Sequence, residues 1–185
     1  MSALKNRTFL ISIAAILIFF IVLMCWGCSK RTVPAPENVA NTVGQPFDAK
    51  ATIRMKDLVM TADLNKTEAG KLTLKVNEPA TLQGMAFQYD GEDIVVSYRG
   101  LNVKLNGDSK LVSSIASIIV NSIDKAASPS GVDVRIDGDA LLLTGQSDSG
   151  KFNLTLDRKG GSMASLSVPE VDFECRFDDF LFRGQ

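Results

Sequence analysis

Residues 70–105 read GKLTLKVNEPATLQGMAFQYDGEDIVVSYRGLNVKL, and their pattern decides the fold class. Leu72, Leu74 and Val76 alternate with lysine and threonine, so that every second side chain is apolar. This period of two is typical of a strand that buries one face and exposes the other. The stretch therefore predicts β-structure rather than helix.

Turn signals divide the same stretch into separate strands. Pro79 stops the first strand, because proline has no N–H to donate to a neighbouring strand. Asp90-Gly91 favours a tight hairpin turn, and Arg99-Gly100 turns the chain a second time. The strands between these turns are therefore predicted to follow one another as an antiparallel meander.

The alternation continues on both sides of this stretch, and only one segment departs from it. The predicted strands are residues 49–55, 58–64, 72–76, 81–89, 94–98, 101–105, 132–136, 140–144, 152–156, 163–168 and 171–177. Between residues 109 and 125 the period changes to that of an amphipathic helix. The apolar residues that recur there at three- and four-residue steps are Leu111, Ile115, Ile118, Ile119 and Ile123.

These elements predict an α+β fold that is mainly antiparallel β. A single sheet of about ten or eleven strands tends to curl, and the apolar face of the helix must be covered by another layer. We therefore expect a strongly curved half-barrel sheet, with the one principal helix as a lid on its concave face.

The N-terminal residues have the composition of an export signal. Lys5 and Arg7 form a short basic start, and residues 9–26 are apolar apart from Ser12. The apolar run is also close to the length that spans a bilayer as an uncleaved signal anchor. Either alternative places the remaining chain outside the cytoplasm.

The end of this segment, LMCWGCS at residues 23–29, resembles a bacterial lipoprotein signal. Gly27 and Cys28 match the pattern, whereas Trp26 and Cys25 depart from it. The resemblance implies that residues 1–27 are a signal peptide and that Cys28 receives a diacylglycerol and acyl (palmitate-type) anchor. We therefore expect a lipid-anchored protein on the extracytoplasmic face of the cell membrane, or in the outer membrane of a Gram-negative organism.

Two further segments follow the signal. Residues 28–46 contain several prolines without periodicity and are predicted to be a flexible tether, and residues 47–185 are predicted to be the folded domain. Cleavage before Cys28 leaves Cys175 as the one other cysteine, so an internal disulfide is not expected. Cys175 alternates with phenylalanines and is predicted to point into the core.

The composition excludes several classes of function. The chain has no histidine and a formal charge of −1, so it lacks the residues of a Ser-His-Asp triad, a histidine-based zinc site or a basic nucleic-acid surface. The acidic residues near two turns are Asp90, Glu92, Asp93, Asp178 and Asp179. A pair of them could act as acid and base or bind calcium weakly, but we expect solvated turn residues, no cofactor, no metal and no enzyme activity.

Two segments resemble the lipoprotein-localisation (LolA/LolB-like) superfamily. They are residues 70–105, quoted above, and residues 150–180, GKFNLTLDRKGGSMASLSVPEVDFECRFDDF. The resemblance implies a half-open antiparallel sheet with a helical lid over an apolar cavity. Soluble members carry the acyl chains of lipoproteins between membranes, and membrane-bound members receive them. This chain has the signal of an anchored protein, yet it shows no obvious exposed apolar loop of the kind that a membrane-depositing receptor uses.

Two hypotheses for function follow. The first is a surface lipoprotein whose curved sheet and helical lid bind an acyl chain or another apolar ligand. The second is a tethered envelope domain with a filled core that binds a protein partner. The residues predicted to line the cavity are Leu72, Leu74, Phe87, Val96, Leu111, Ile115, Ile118, Ile119, Ile123, Phe152 and Leu154. Under these hypotheses, the partner of the protein would be a lipid, a lipoprotein or an envelope protein.

Metabolic labelling tests the lipid anchor. A clickable fatty acid should label the wild-type protein and leave Cys28→Ala unlabelled, because the signal places that thiol at the cleavage point. Cys25→Ala is the matched control, and it should be labelled like the wild type. Equal labelling of wild type and Cys28→Ala would contradict lipidation and favour the uncleaved signal anchor.

Overall fold

The computed structural model describes residues 33–34, 37–105, 112–128 and 130–183. The predicted signal, Cys28 and Leu111 lie outside these residues. The described elements are β1 (Val33–Pro34), α1 (Glu37–Val43), β2 (Phe47–Met55), β3 (Leu58–Glu68), β4 (Lys71–Glu78), β5 (Ala86–Tyr89), β6 (Ile94–Tyr98), β7 (Leu101–Leu105), α2 (Val112–Ala126), β8 (Val132–Asp137), β9 (Ala140–Ser147), β10 (Gly150–Asp157), β11 (Met163–Val168), a 3-10 turn (Pro169–Val171) and β12 (Phe173–Phe182).

All twelve described strands belong to one antiparallel sheet that curves but does not close. Their order is β1-β8-β9-β10-β11-β12-β2-β3-β4-β5-β6-β7. Two meanders meet where β12 lies beside β2, with Phe177 opposite Ala51. The predicted class is confirmed: the fold is α+β and mainly antiparallel, and a curved, unclosed sheet carries one principal helix.

Side-chain alternation builds the core in the way that the sequence predicts. In β2, Ala49, Ala51, Ile53 and Met55 are buried, whereas the lysine, threonine and arginine between them are exposed. Helix α2 lies on the concave face and packs mainly on β9, with further contacts to β4, β5 and β10. Ile115, Ile119 and Ala126 of this helix are fully buried. Burial of this apolar face stabilises a helix whose isoleucines have only moderate helix propensity.

The start of β5 differs from the sequence prediction. Strand β5 begins at Ala86, although alternation predicted a strand from residue 81. The intervening residues form a turn, since the Leu82 N–H donates to the Pro79 carbonyl at 2.9 Å and the Met85 N–H donates to the Leu82 carbonyl at 3.1 Å. Residues whose amides bond within a turn are not free to join the ladder.

Helix α1 corrects the predicted extent of the tether. We expected a flexible segment up to Pro46, but Glu37–Val43 is helical. Val43 is fully buried and Ala40 is nearly so, although both lie in the segment that the composition predicts to be a linker. Burial of these apolar side chains offsets the entropy of ordering the segment. The folded domain therefore starts before Phe47, and α1 packs against α2.

The ring of Phe152 occupies the space that a side chain at Gly145 would need. The two residues lie opposite each other on β9 and β10, and Phe152 is fully buried. A Cβ at Gly145 would lie 2.6 Å from Phe152 Cζ. The absence of a side chain on one strand thus makes the space that the aromatic ring on the next strand fills.

Gly145→Ala should therefore destabilise the domain through overpacking. We expect a loss of about 1–3 kcal/mol in the free energy of unfolding, measured by urea denaturation. Phe152→Leu removes the clashing ring atoms, so the double variant should lose less than the sum of the two single variants. Strict additivity would contradict the contact.

Candidate functional site

The concave face remains apolar from the centre of the sheet to one edge, while its burial decreases. Leu74, Phe87, Val96 and Val103 are neighbours across β4, β5, β6 and β7. Leu74 is 0% exposed, Phe87 is buried, Val96 is half-buried and Val103 is 55% exposed. The row of side chains therefore stays apolar even where these side chains become exposed to solvent.

We name the uncovered part the open strip, and define it as the inner-face residues of β6 and β7 beyond Ile94. They are Val96, Tyr98, Leu101, Val103 and Leu105. Alternation puts them on the same face as buried Ile94. Leu101 is 70% exposed, and Arg99 lies over the Tyr98 ring with its guanidinium carbon 5.2 Å from the ring centre. Contiguous apolar surface of this kind marks an interaction site more often than isolated exposed residues do.

The contact between α2 and the sheet is filled. Ile115, Ile119 and Ile123 of the helix are 0% exposed, as are Phe152 and Leu154 of β10 that belong to the same core. A hollow wide enough for an acyl chain would leave the side chains around it accessible to small molecules. These residues therefore form solid core in this conformation.

The structure brings together the described members of the predicted cavity lining. Val96 is half-buried and belongs to the open strip. The other members are buried in one cluster: Leu72, Leu74, Phe87, Ile115, Ile118, Ile119, Ile123, Phe152 and Leu154. Met55, Met60 and Met163 also contribute to this core as filler. Residues 98, 101, 103 and 105 were missed as site candidates, although alternation put them in phase with Val96.

The clefts that the described residues line include three open ones. One of about 420 Å³ lies beside Val59 of β3 and Pro79, which follows β4. A second of about 240 Å³ lies between α1 and the turn after β10. A third of about 340 Å³ is polar and includes Asp124 and Asp148. The isoleucines of α2 do not line these three clefts.

A buried ion pair joins α2 to β3. Lys66 points inward in phase with Leu64, and its side chain is 0% exposed. Its Nζ lies 3.0 Å from Asp124 Oδ1, without the alignment of a hydrogen bond, so the attraction is mainly coulombic. The other oxygen of Asp124 accepts the Gly70 N–H at 2.6 Å. The sequence contained one signal for this pair, because the phase of β3 places Lys66 on the apolar face.

The free cysteine and the acidic hairpin have structural roles, in the core and in a turn. Cys175 is buried and free, as its position among phenylalanines predicts, and burial raises the pKa of its thiol. Asp90 accepts the N–H groups of Glu92 and Asp93, and these bonds lower the pKa of Asp90. Within the described residues, His, Cys, Asp and Glu side chains form no group that could hold a metal ion.

The helices of the described ranges are all too short or too polar to cross a membrane.

Comparison with known proteins finds likeness among solved structures alone. No family model and no curated protein matches the sequence. Similar solved structures include an uncharacterized conserved protein from Thermus thermophilus, with 12% identity, a TM-score of 0.49, and coverage of 80% of this chain and 85% of that one. They also include a LolA superfamily protein from Nitrosomonas europaea, with 13% identity, a TM-score of 0.44, and coverage of 83% and 95%.

A third similar structure is that of the CwlD amidase from Clostridioides difficile in complex with the GerS lipoprotein. It has 18% identity and a TM-score of 0.47, with coverage of 74% of this chain and 86% of that one. The solved structures similar to this chain thus include a member of the superfamily that the sequence resembles. The likeness is one of chain path and identifies neither a ligand nor a partner.

The ion pair makes a prediction about stability. Asp124→Asn leaves the Lys66 ammonium buried without a counter-charge, so the free energy of unfolding should fall by about 3–5 kcal/mol. Lys66→Met should cost less, because Asp124 is 25% exposed and keeps the Gly70 amide. Urea denaturation measures both changes.

Asp148→Asn is the matched control for this pair, because Asp148 is an exposed acid in the same cleft. It should change the stability little. Equal costs for Asp124→Asn and Asp148→Asn would contradict a structural role for the buried pair.

Proposed function

We propose that this chain is a membrane-anchored extracytoplasmic lipoprotein whose concave face binds an apolar chain, the acyl chain of a lipid or lipoprotein. The observation that carries the proposal is the decrease of burial from Leu74 to Val103 along one apolar row. The open strip is continuous with the core, so a bound chain would extend the core rather than lie on a separate surface.

The dimensions of the strip suit an extended apolar ligand. Strands β6 and β7 have five residues each, which corresponds to about 17 Å along the strand. Each square ångström of apolar surface that a ligand covers contributes about 25 cal/mol. Leu101 and Val103 are the most exposed members of the strip, and they would gain the most from such cover.

The N-terminal sequence supports the anchored part of the proposal. The basic start, the apolar run and Gly27-Cys28 together favour export and acylation. Anchoring would place the open strip at the outer face of the cell membrane, close to lipids and to other lipoproteins. The proposal includes no catalytic step.

A second function is favoured by the filled contact beneath α2. A solid core with an exposed apolar strip is the arrangement expected of an envelope domain that binds a protein partner. An extended segment of such a partner could lie on the strip and pair with the backbone of β7. The two functions use the same residues, so they must be separated by the chemical identity of what is bound.

Photo-crosslinking in living cells tests the acyl-chain proposal. Cells that express the full chain with Cys28→Ala are fed a fatty acid carrying a diazirine and an alkyne. The Cys28→Ala background removes the covalent label, so the light-dependent label reports non-covalent binding. We expect the label on residues 96–105, and Val103→Asp should reduce it about tenfold because a carboxylate is costly to bury against an acyl chain.

Val59→Asp is the matched control. Val59 is 53% exposed, close to the 55% of Val103, but it lies on the opposite face of the sheet. Its substitution should leave the label unchanged. Absence of light-dependent lipid label would contradict the acyl-chain proposal and leave the partner-binding function. Loss of label in Val59→Asp but not in Val103→Asp would indicate that the ligand binds in the cleft beside Val59.

A further inference from the structure

Strand β7 is an unprotected edge of the sheet. It pairs with β6 on one side, and within the described ranges no strand pairs with its other side. Such an edge presents a row of free N–H and carbonyl groups. Two of its inner-face residues, Leu101 and Val103, are among the most exposed large apolar side chains described. Backbone and side chains are thus both available to another strand.

The sequence of β7, LNVKL, is suited to pairing with itself. In an antiparallel pair centred on Val103, Leu101 lies opposite Leu105 of the second copy, and Asn102 lies opposite Lys104. All five residues are then paired, and apolar residues face apolar ones. A pair centred on Lys104 would place two like charges opposite each other, which is destabilising. A pair centred on Asn102 would leave Leu105 without a partner.

We propose that two copies of this chain associate by antiparallel pairing of β7 with β7, centred on Val103. The arrangement is isologous, with a two-fold axis perpendicular to the sheet. Such an axis keeps the apolar faces of both copies on the same side. The row that ends at Val103 in one copy therefore continues through Val103 and Val96 of the second. Each copy completes the open strip of the other.

Lys104 does not oppose this register. A lysine on an edge strand usually protects the strand from pairing, but the ammonium of Lys104 is already paired with Asp93 of its own chain. The polar neighbour it would meet across the interface is Asn102, which bonds to Ser97 through its side-chain oxygen. The outer face of the paired strands is therefore polar without like-charge repulsion.

The proposed interface is small, so the pairing needs the high local concentration that a membrane surface provides. A pair of five-residue strands covers less than the roughly 800 Å² per partner of a standard stable interface. Tethering two copies in one membrane raises their effective concentration and compensates for weak pairing. The strength of the association thus rests on the proposed anchoring, although the register of the pair does not. The test is accordingly made with the full chain in cell membranes.

Cysteine crosslinking tests the register. Val103→Cys brings two thiols directly opposite each other, with the Cα atoms about 5 Å apart, within reach of a disulfide. In Leu101→Cys the two symmetry-related thiols are four residues apart along the strands, about 13 Å. Copper phenanthroline oxidation should give about tenfold more dimer for Val103→Cys. Both positions are exposed, and the native cysteines are common to both variants.

Charge substitutions at Asn102 check the same register independently. In the Val103→Cys background, Asn102→Asp places a carboxylate opposite Lys104 of the second copy and should raise the dimer yield. Asn102→Lys places two lysines opposite each other and should lower it. Equal yields from Val103→Cys and Leu101→Cys would overturn the proposal, as would crosslinking of Val103→Cys to a different protein. Membrane fractionation of the same samples reports the anchoring separately, so a failure of the tether is distinguishable from a failure of the pairing.

Discussion

A single helix must cover the concave face of a much wider sheet, and the rest of the molecule follows from this mismatch. Helix α2 has 15 residues and is therefore about 22 Å long and about 10 Å across. Twelve strands side by side span roughly 50 Å along the curve. Curling brings β4, β5, β9 and β10 to the helix, but apolar surface at one edge remains uncovered. The exposure of that surface is thus a geometric result of the fold.

The Lys66–Asp124 pair is the directional contact between the helix and the sheet. Isoleucines alone allow several positions of a helix on a smooth apolar surface, because hydrophobic burial has no direction. A buried ammonium tolerates only the position in which a carboxylate reaches it. The pair lies near one end of α2, where Asp124 also contacts the backbone at Gly70. The buried apolar face stabilises the helix, and the ion pair links its C-terminal end to β3.

Most of the sheet could be predicted from the sequence because each strand carries its own period of two. The eleven predicted strands correspond to β2–β12, and the helix lies where the period changes. The errors have local causes. Alternation at residues 81–85 is accidental in a segment that forms a turn, and the helical residues around Val43 follow prolines that are typical of a linker.

The site was harder to predict because burial is a property of the assembled sheet. Val96 and Leu74 have similar sequence contexts, yet only the position of α2 makes one half-buried and the other fully buried. The partner of Lys66 is 58 residues away along the chain, and no local pattern links the two. Sequence periodicity thus identified the inner face but not the part of it that stays open.

The pairing of β12 with β2 limits the order in which the sheet can fold. The two strands at the middle of the sheet come from distant parts of the chain, with Phe177 opposite Ala51. The first half of the sheet therefore cannot gain its neighbour until β12 has been synthesised. High contact order of this kind slows folding. During that interval the edge of β2 is unpaired, so a chaperone that shields strand edges would protect the emerging chain at this point.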